Sequence, residues 1–109
     1  MEVKFVNLTG RTVVLRNGES ETRIPASGNL VVCTGFVERA SMNGIRTRKR
    51  VSHLSAELPK KKRGTFFIVT RDVHMHPDAY RTDVLTMGEC FHYPEEKENT
   101  LRCAWLISH

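Results

Sequence analysis

GTFFIVTRDVHMHPDAYRTD, residues Gly64–Asp83, joins an apolar run to a polar one with nothing between them. Thr65-Phe66-Phe67-Ile68-Val69-Thr70 is rich in β-branched and aromatic residues. It is also too short for a buried helix, so it reads as a strand covered on both faces. The polar segment carries Asp72, His74, His76 and Asp78 and ends in Arg81-Thr82-Asp83. Val73–Tyr80 is the one stretch that reads as a helix, and Pro77 holds it to a turn or two. A core strand leading into a short helix and then a charged turn is the frame for the rest.

Outward from this frame, the pattern is strands and turns. Lys4–Leu8 and Thr12–Arg16 read as strands separated by the Thr9-Gly10-Arg11 turn. Asn17-Gly18 and Asn43-Gly44 are hairpin signals, because both residues tolerate the positive φ of the tight turns that match strand twist. They return the chain through Ser20–Ile24 and through Ile45–Leu54. Leu30–Cys33 reads as a buried strand, and Phe36–Met42 fits strand or helix, with the following Asn-Gly favouring strand. Val84–Thr86, Cys90–Tyr93 and Leu101–Ile107 complete the set, with Pro94–Thr100 as an acidic loop. Strands at this spacing predict a mainly β fold, a compact antiparallel sheet sandwich or partly open barrel with one short helix. At 109 residues the chain makes one domain, 1–109.

Composition narrows the function classes. No apolar run approaches the ~20 residues of a membrane-crossing helix. The Met1–Phe5 start lacks the charged and apolar regions of a secretion signal. Cys33, Cys90 and Cys103 form an odd set with no close pair, which fits reduced thiols better than a disulfide framework. Catalysis is not expected: there is no G-x-S-x-G, no H-E-x-x-H, and no close carboxylate pair that marks hydrolysis. His74-Met75-His76 would point its two imidazoles apart on a helix, so neither a metal nor another cofactor is expected.

Charge is the remaining signal. The net charge is +5, and eight of the 17 basic residues lie at Arg46, Arg48, Lys49, Arg50, Lys60, Lys61, Lys62 and Arg63. At period two, Arg46, Arg48 and Arg50 fall on one face of a strand as a row. With Lys60–Arg63 they form a basic surface suited to a polynucleotide backbone. Such charges also discourage edge pairing, and Pro59-Lys60-Lys61-Lys62-Arg63 resembles a nuclear import signal. The absence of interleaved aromatics disfavours single-stranded nucleic acid. Separately, Arg81-Thr82-Asp83 can present a guanidinium fork to a phosphate, or can simply fix the turn into the next strand.

Several of these motifs resemble those of a family of small phage- and prophage-encoded proteins. The matching segments are Asn7-Leu8-Thr9-Gly10-Arg11, Ile24-Pro25-Ala26-Ser27-Gly28, Gly64–Thr70 and Arg81-Thr82-Asp83. Gly10-Arg11 stands where that family has Pro-His, and the Pro59–Arg63 loop is far more basic than its counterpart. The resemblance implies a viral source, a cytoplasmic location in the infected host cell and a β-rich fold with one helix. In size and general character the chain is also similar to phage anti-defence sponges that sequester cyclic-nucleotide signals, such as the Thoeris anti-defence sponges. That similarity implies a homo-oligomer holding a nucleotide signal without turning it over. Asn7, Arg11, Tyr80, Arg81 and Asp83 would form such a ligand site if the turns at Thr9–Arg11 and Tyr80–Asp83 met at one end of the sheets. The leading expectation is therefore an accessory protein that sequesters a phosphate-bearing small molecule. The alternatives are a host-takeover protein binding a host protein or nucleic acid through residues 46–63, and a small virion structural subunit.

Overall fold

The computed structural model describes residues 3–91 and 100–109, except the side chains of residues 17, 36–38, 49, 50 and 89–91. The strands are β1 (Lys4–Asn7), β2 (Thr12–Asn17), β3 (Ser20–Ile24), β4 (Cys33–Met42), β5 (Ile45–Leu54), β6 (Thr65–Ile68), β7 (Val84–Phe91) and β8 (Thr100–Ile107). One turn of helix, α1 (Arg71–His74), and a 3-10 turn at Pro77–Ala79 lie between β6 and β7. The expected mainly β fold with one short helix is what forms.

Six strands make one sheet in the order β1-β6-β7-β8-β2-β3, an open, curled half-barrel. This is the partly open barrel of the two expected forms, with a mixed rather than wholly antiparallel sheet. β1 runs parallel to β6, β6 to β7, and β2 to β8. Asn-Gly signals report only hairpins between successive strands, whereas β1–β6 and β2–β8 join segments far apart along the chain and β6–β7 is a crossover through the short helix. The curl brings the exit of β3 back to the end of β1. There Asn7 bridges to Ala26, and the Ser27 N–H and Oγ both donate to the Asn7 carbonyl, at 3.0 and 2.7 Å.

β6 is covered on both faces, as its sequence demands. Phe67 and Val69 point into a cluster with Leu8, Val31, Val73, Ala79 and Val84, while Ile68 points into one with Val13, Ile24 and Cys103. Other boundaries move. Leu30 and Val32 are exposed around a buried Val31, so Leu30–Cys33 is a connection into β4 rather than a core strand. Val84–Phe91 is continuous, merging two expected strands. His92, Tyr93 and the expected acidic loop lie outside the described residues except at Thr100, as does the side chain of Cys90.

The β2–β3 turn is centred on Gly18-Glu19, one residue later than the Asn-Gly pair suggests, with Gly18 at φ 62°. The turn between β4 and β5 is centred on Asn43 (φ 52°) and Gly44 (φ 80°), with Met42 opposite Ile45. Both central residues have positive φ, the signature of the type I′ hairpin.

β4 and β5, ten residues each, pair only with one another among the described residues and form a two-stranded arm outside the main sheet. The arm stretches the molecule to 60 × 37 × 23 Å, with a radius of gyration of 16.8 Å. About 13 Å is normal for a compact chain of this size. The base of the arm is anchored where Cys33, Leu54 and Leu58 pack on the first core cluster. The Ser55 N–H donates to the Val32 carbonyl at 2.8 Å and the Val32 N–H to Ser55 Oγ at 3.0 Å.

Candidate functional site

The arm carries the arginine row. Its register sets Arg39 opposite Arg48 and Ser41 opposite Arg46. Because strand side chains alternate, Arg39, Ser41, Arg46 and Arg48 share one face, and Ala40, Met42, Ile45 and Thr47 share the other. All of these are exposed except Thr47, which is half-buried. Among the described residues, Arg39, Arg46 and Arg48 make no ion pair or hydrogen bond through their side chains. Arg50 stands opposite Val37 in the same register, and its side chain lies outside the described residues. Arg39 belongs to the row but was not legible as part of it, because only the β4–β5 register brings it there.

Lys60, Lys61, Lys62 and Arg63 are on the body instead. The Thr65 N–H donates to the Lys62 carbonyl at 3.1 Å, and Lys61 Nζ reaches Thr82 Oγ1 at 3.4 Å. The stretch 46–63 is therefore two basic features rather than one. One is a row near the arm tip, and the other is a loop beside the Arg81–Asp83 turn.

At that turn Arg81 grips Asp83 with two parallel bonds, Nε to Oδ1 at 2.9 Å and Nη2 to Oδ2 at 2.6 Å. The Arg81 guanidinium also lies 5.8 Å from the centre of the Phe67 ring. The hydrogen bonds from Arg81 hold the Asp83 carboxyl below the usual carboxylate range, and the same pairing raises Arg81. Asp83 is buried, and both its oxygens are occupied. This is the turn-fixing role of the triplet. One edge of Arg81 still borders a cleft of about 720 Å³ between the arm base and the 3-10 turn, lined also by His53, Glu57, His76 and Asp78.

The proposed convergence with the first turn does not occur. Asn7 is buried, and its side chain is fully used inside the fold. Nδ2 donates to the carbonyls of Arg11 (2.6 Å) and Ile24 (2.9 Å), and Oδ1 accepts from Thr9 N (3.0 Å) and Thr9 Oγ1 (2.6 Å). Arg11 is exposed and lines a different hollow with Leu30, Val32, Met87 and Leu101. Tyr80 is 66% exposed and sets its ring edge-on to His109 at 4.9 Å. Asn7, Arg11 and Arg81 therefore do not form one ligand site.

The two histidines of His74-Met75-His76 also go separate ways. His74 is buried and stacks on His109 at 3.7 Å, and its Nε2 has no hydrogen-bond partner among the described residues. His76 Nδ1 accepts from the Asp78 N–H at 3.1 Å, which leaves Nε2 as the donor to the Ser52 carbonyl at 3.2 Å, tying the arm base to the body.

Among the described residues no helix is long and apolar enough to cross a membrane. Comparison with family models, with curated proteins and with solved structures gives no match, so the arm and its cations stand on their own chemistry.

Proposed function

We propose that this protein binds double-stranded nucleic acid through phosphate contacts made by one face of the β4–β5 arm. One observation carries the reading: Arg39, Arg46 and Arg48 sit together on a projecting ribbon without a carboxylate partner among the described residues. Guanidinium groups on a strand at period two, about 6.8 Å apart along it, suit a repeating line of phosphates. A ten-residue strand spans about 34 Å, close to one turn of the double helix. No catalytic step is invoked; the contact is electrostatic and reversible.

The test is fluorescence anisotropy of a labelled duplex across a salt series. Three phosphate contacts give a slope of log affinity against log salt of about −2.7. Replacing Arg39, Arg46 and Arg48 by serine together flattens it by about that amount. Absence of duplex binding at low salt, or the same slope in the triple variant, would overturn the proposal.

A second reading follows from the cleft beside Arg81. A small phosphate-bearing ligand, such as a nucleotide signal, could be held there by the guanidinium edge that Asp83 leaves unused. Glu57 and Asp78 in the same lining oppose a highly charged anion, which places this reading second. Calorimetric titration with a panel of cyclic nucleotides checks it; no heat at micromolar ligand removes it.

A further inference from the structure

Phosphate contacts leave the tip of the arm unexplained. Met42 and Ile45 are cross-strand partners flanking the Asn43-Gly44 turn, and each is 68% exposed. No other large apolar side chain among the described residues is more exposed. The type I′ turn beyond them holds only Asn43 and Gly44, so the pair sits immediately behind the tip of the ribbon. A hairpin tip does not need apolar residues to close, and exposed ones at the end of an unpaired ribbon invite association. The pair lies on the face opposite the arginines, so only a ribbon entering a groove tip-first brings the apolar pair and the guanidinium groups against the same duplex, one on each side.

We infer that Met42 and Ile45 form a wedge that enters between adjacent base pairs from the minor groove, so that the protein bends the duplex it binds. This rests on the reading of the arm as a nucleic-acid-binding element. The minor groove, ~6 Å wide, is too narrow for a two-stranded ribbon as it stands. Parting one base step with an apolar side chain kinks the duplex toward the major groove and opens the minor groove at that point. The arginines behind the tip are drawn to the negative potential of the groove and its rims. Met42 is unbranched and polarisable, and with Ile45 directly opposite it supplies one thin apolar blade. Pyrimidine–purine steps unstack most easily, so the wedge prefers TA and CA/TG steps without any hydrogen bond to a base edge.

Two other occupants fit the tip less well. Two side chains bury far less than the roughly 1,000 Å² that a specific interface with a second copy requires. A lipid surface calls for a broad apolar face sunk about 5–10 Å, whereas Ala40 and Thr47 stand immediately behind the pair.

The experiment uses a short duplex with 2-aminopurine at a central TA step and a donor–acceptor pair at its ends. Saturating protein is expected to raise the 2-aminopurine signal several-fold and to shorten the end-to-end distance, reporting a bend of roughly 20–90°. Met42→Ser with Ile45→Ser is expected to abolish both signals while keeping the salt slope, with far-ultraviolet circular dichroism confirming the fold. Binding with the salt slope but without unstacking or bending overturns the wedge and leaves the arm reading intact. No binding to any duplex overturns both. If the tip variant instead abolishes a dimer in sedimentation, or abolishes binding to phosphatidylserine vesicles while duplexes stay straight, the occupant is a second copy or a lipid surface and the wedge is wrong.

Discussion

Arg39 and Arg48 stand directly opposite one another across the two strands of the arm, with no carboxylate among the described residues paired to either. Like charges at directly opposed positions destabilise a strand pair, typically by about 0.2–1 kcal/mol. A two-stranded ribbon is already marginal in water. The arm thus gives up free-state stability at the position where a polyanion would relieve the repulsion. Arg39→Glu converts the repulsion into a cross-strand ion pair, and its two effects have opposite signs. Amide exchange in β4 and β5 is expected to slow in the free protein, while duplex affinity at low salt drops about tenfold or more. Exchange measured by mass spectrometry, paired with anisotropy, checks both halves.

Asn7 is a structural residue, and its loss should be felt by the whole molecule. Its side chain holds the Thr9–Arg11 turn and the end of β3 together through four hydrogen bonds in a buried site. Asn7→Ala leaves two carbonyls and the Thr9 groups without these partners. The expected cost is about 3 kcal/mol, given roughly 1–3 kcal/mol for each buried group left unsatisfied and partial rescue by water. Urea unfolding monitored at Trp105, the single tryptophan, measures it. Duplex affinity of the folded fraction should not change.

The Arg81–Asp83 pair makes a separate prediction in pH. Asp83 has a folded-state value below that of the unfolded chain because Arg81 holds the charged form. Its contribution is therefore complete above about pH 4, where the unfolded carboxyl is ionised, and is lost as pH falls through the lower folded value. Asp83→Asn removes that part of the acid sensitivity. It also costs about 2 kcal/mol at neutral pH through the lost charged hydrogen bonds, a figure kept low because Arg81 is partly solvated. Chemical unfolding at pH 7 and pH 3 should show the variant losing less stability on acidification than the parent protein.

What could be read from residue order alone follows the range of each signal. β5 at Ile45–Leu54 and the Asn43-Gly44 turn were legible because alternation and turn chemistry are local. The two-sided burial of Phe67 and Ile68 was legible because a short β-branched run has few other uses. The parallel pairs β1–β6 and β2–β8 were not, since nothing local marks a partner so distant in sequence, whereas β6–β7 is a strand–helix–strand crossover whose element order does imply parallel pairing. The arginine row was visible on β5, but Arg39 joins it only through the β4–β5 register, and its isolation on an arm depends on β4 and β5 meeting no third strand among the described residues. Asn7 read as a ligand donor because an Asn in a turn motif serves either purpose; only its burial and four partners distinguish them.

His74 supplies the last prediction, also in pH but with the opposite type of group. The ring is buried against β7, stacked on His109 with planes 8° apart, and its Nε2 has no partner among the described residues. Burial first, and then the neighbouring His109 charge, push the His74 pKa below its usual value, with a hydrogen bond to the Val84 backbone opposing them. The folded protein therefore binds this proton less readily than the unfolded chain does. Stability is unaffected well above pH 6.5, declines as pH falls below about 6.5 where the unfolded imidazole takes up its proton, and levels off below the folded value. His74→Phe keeps a flat ring against His109 and removes the proton. The variant is expected to lose less stability than the parent protein between pH 7 and pH 5, as measured by urea unfolding at each pH. An equal loss in both proteins would assign the acid response to other histidines and leave His74 as a packing group alone.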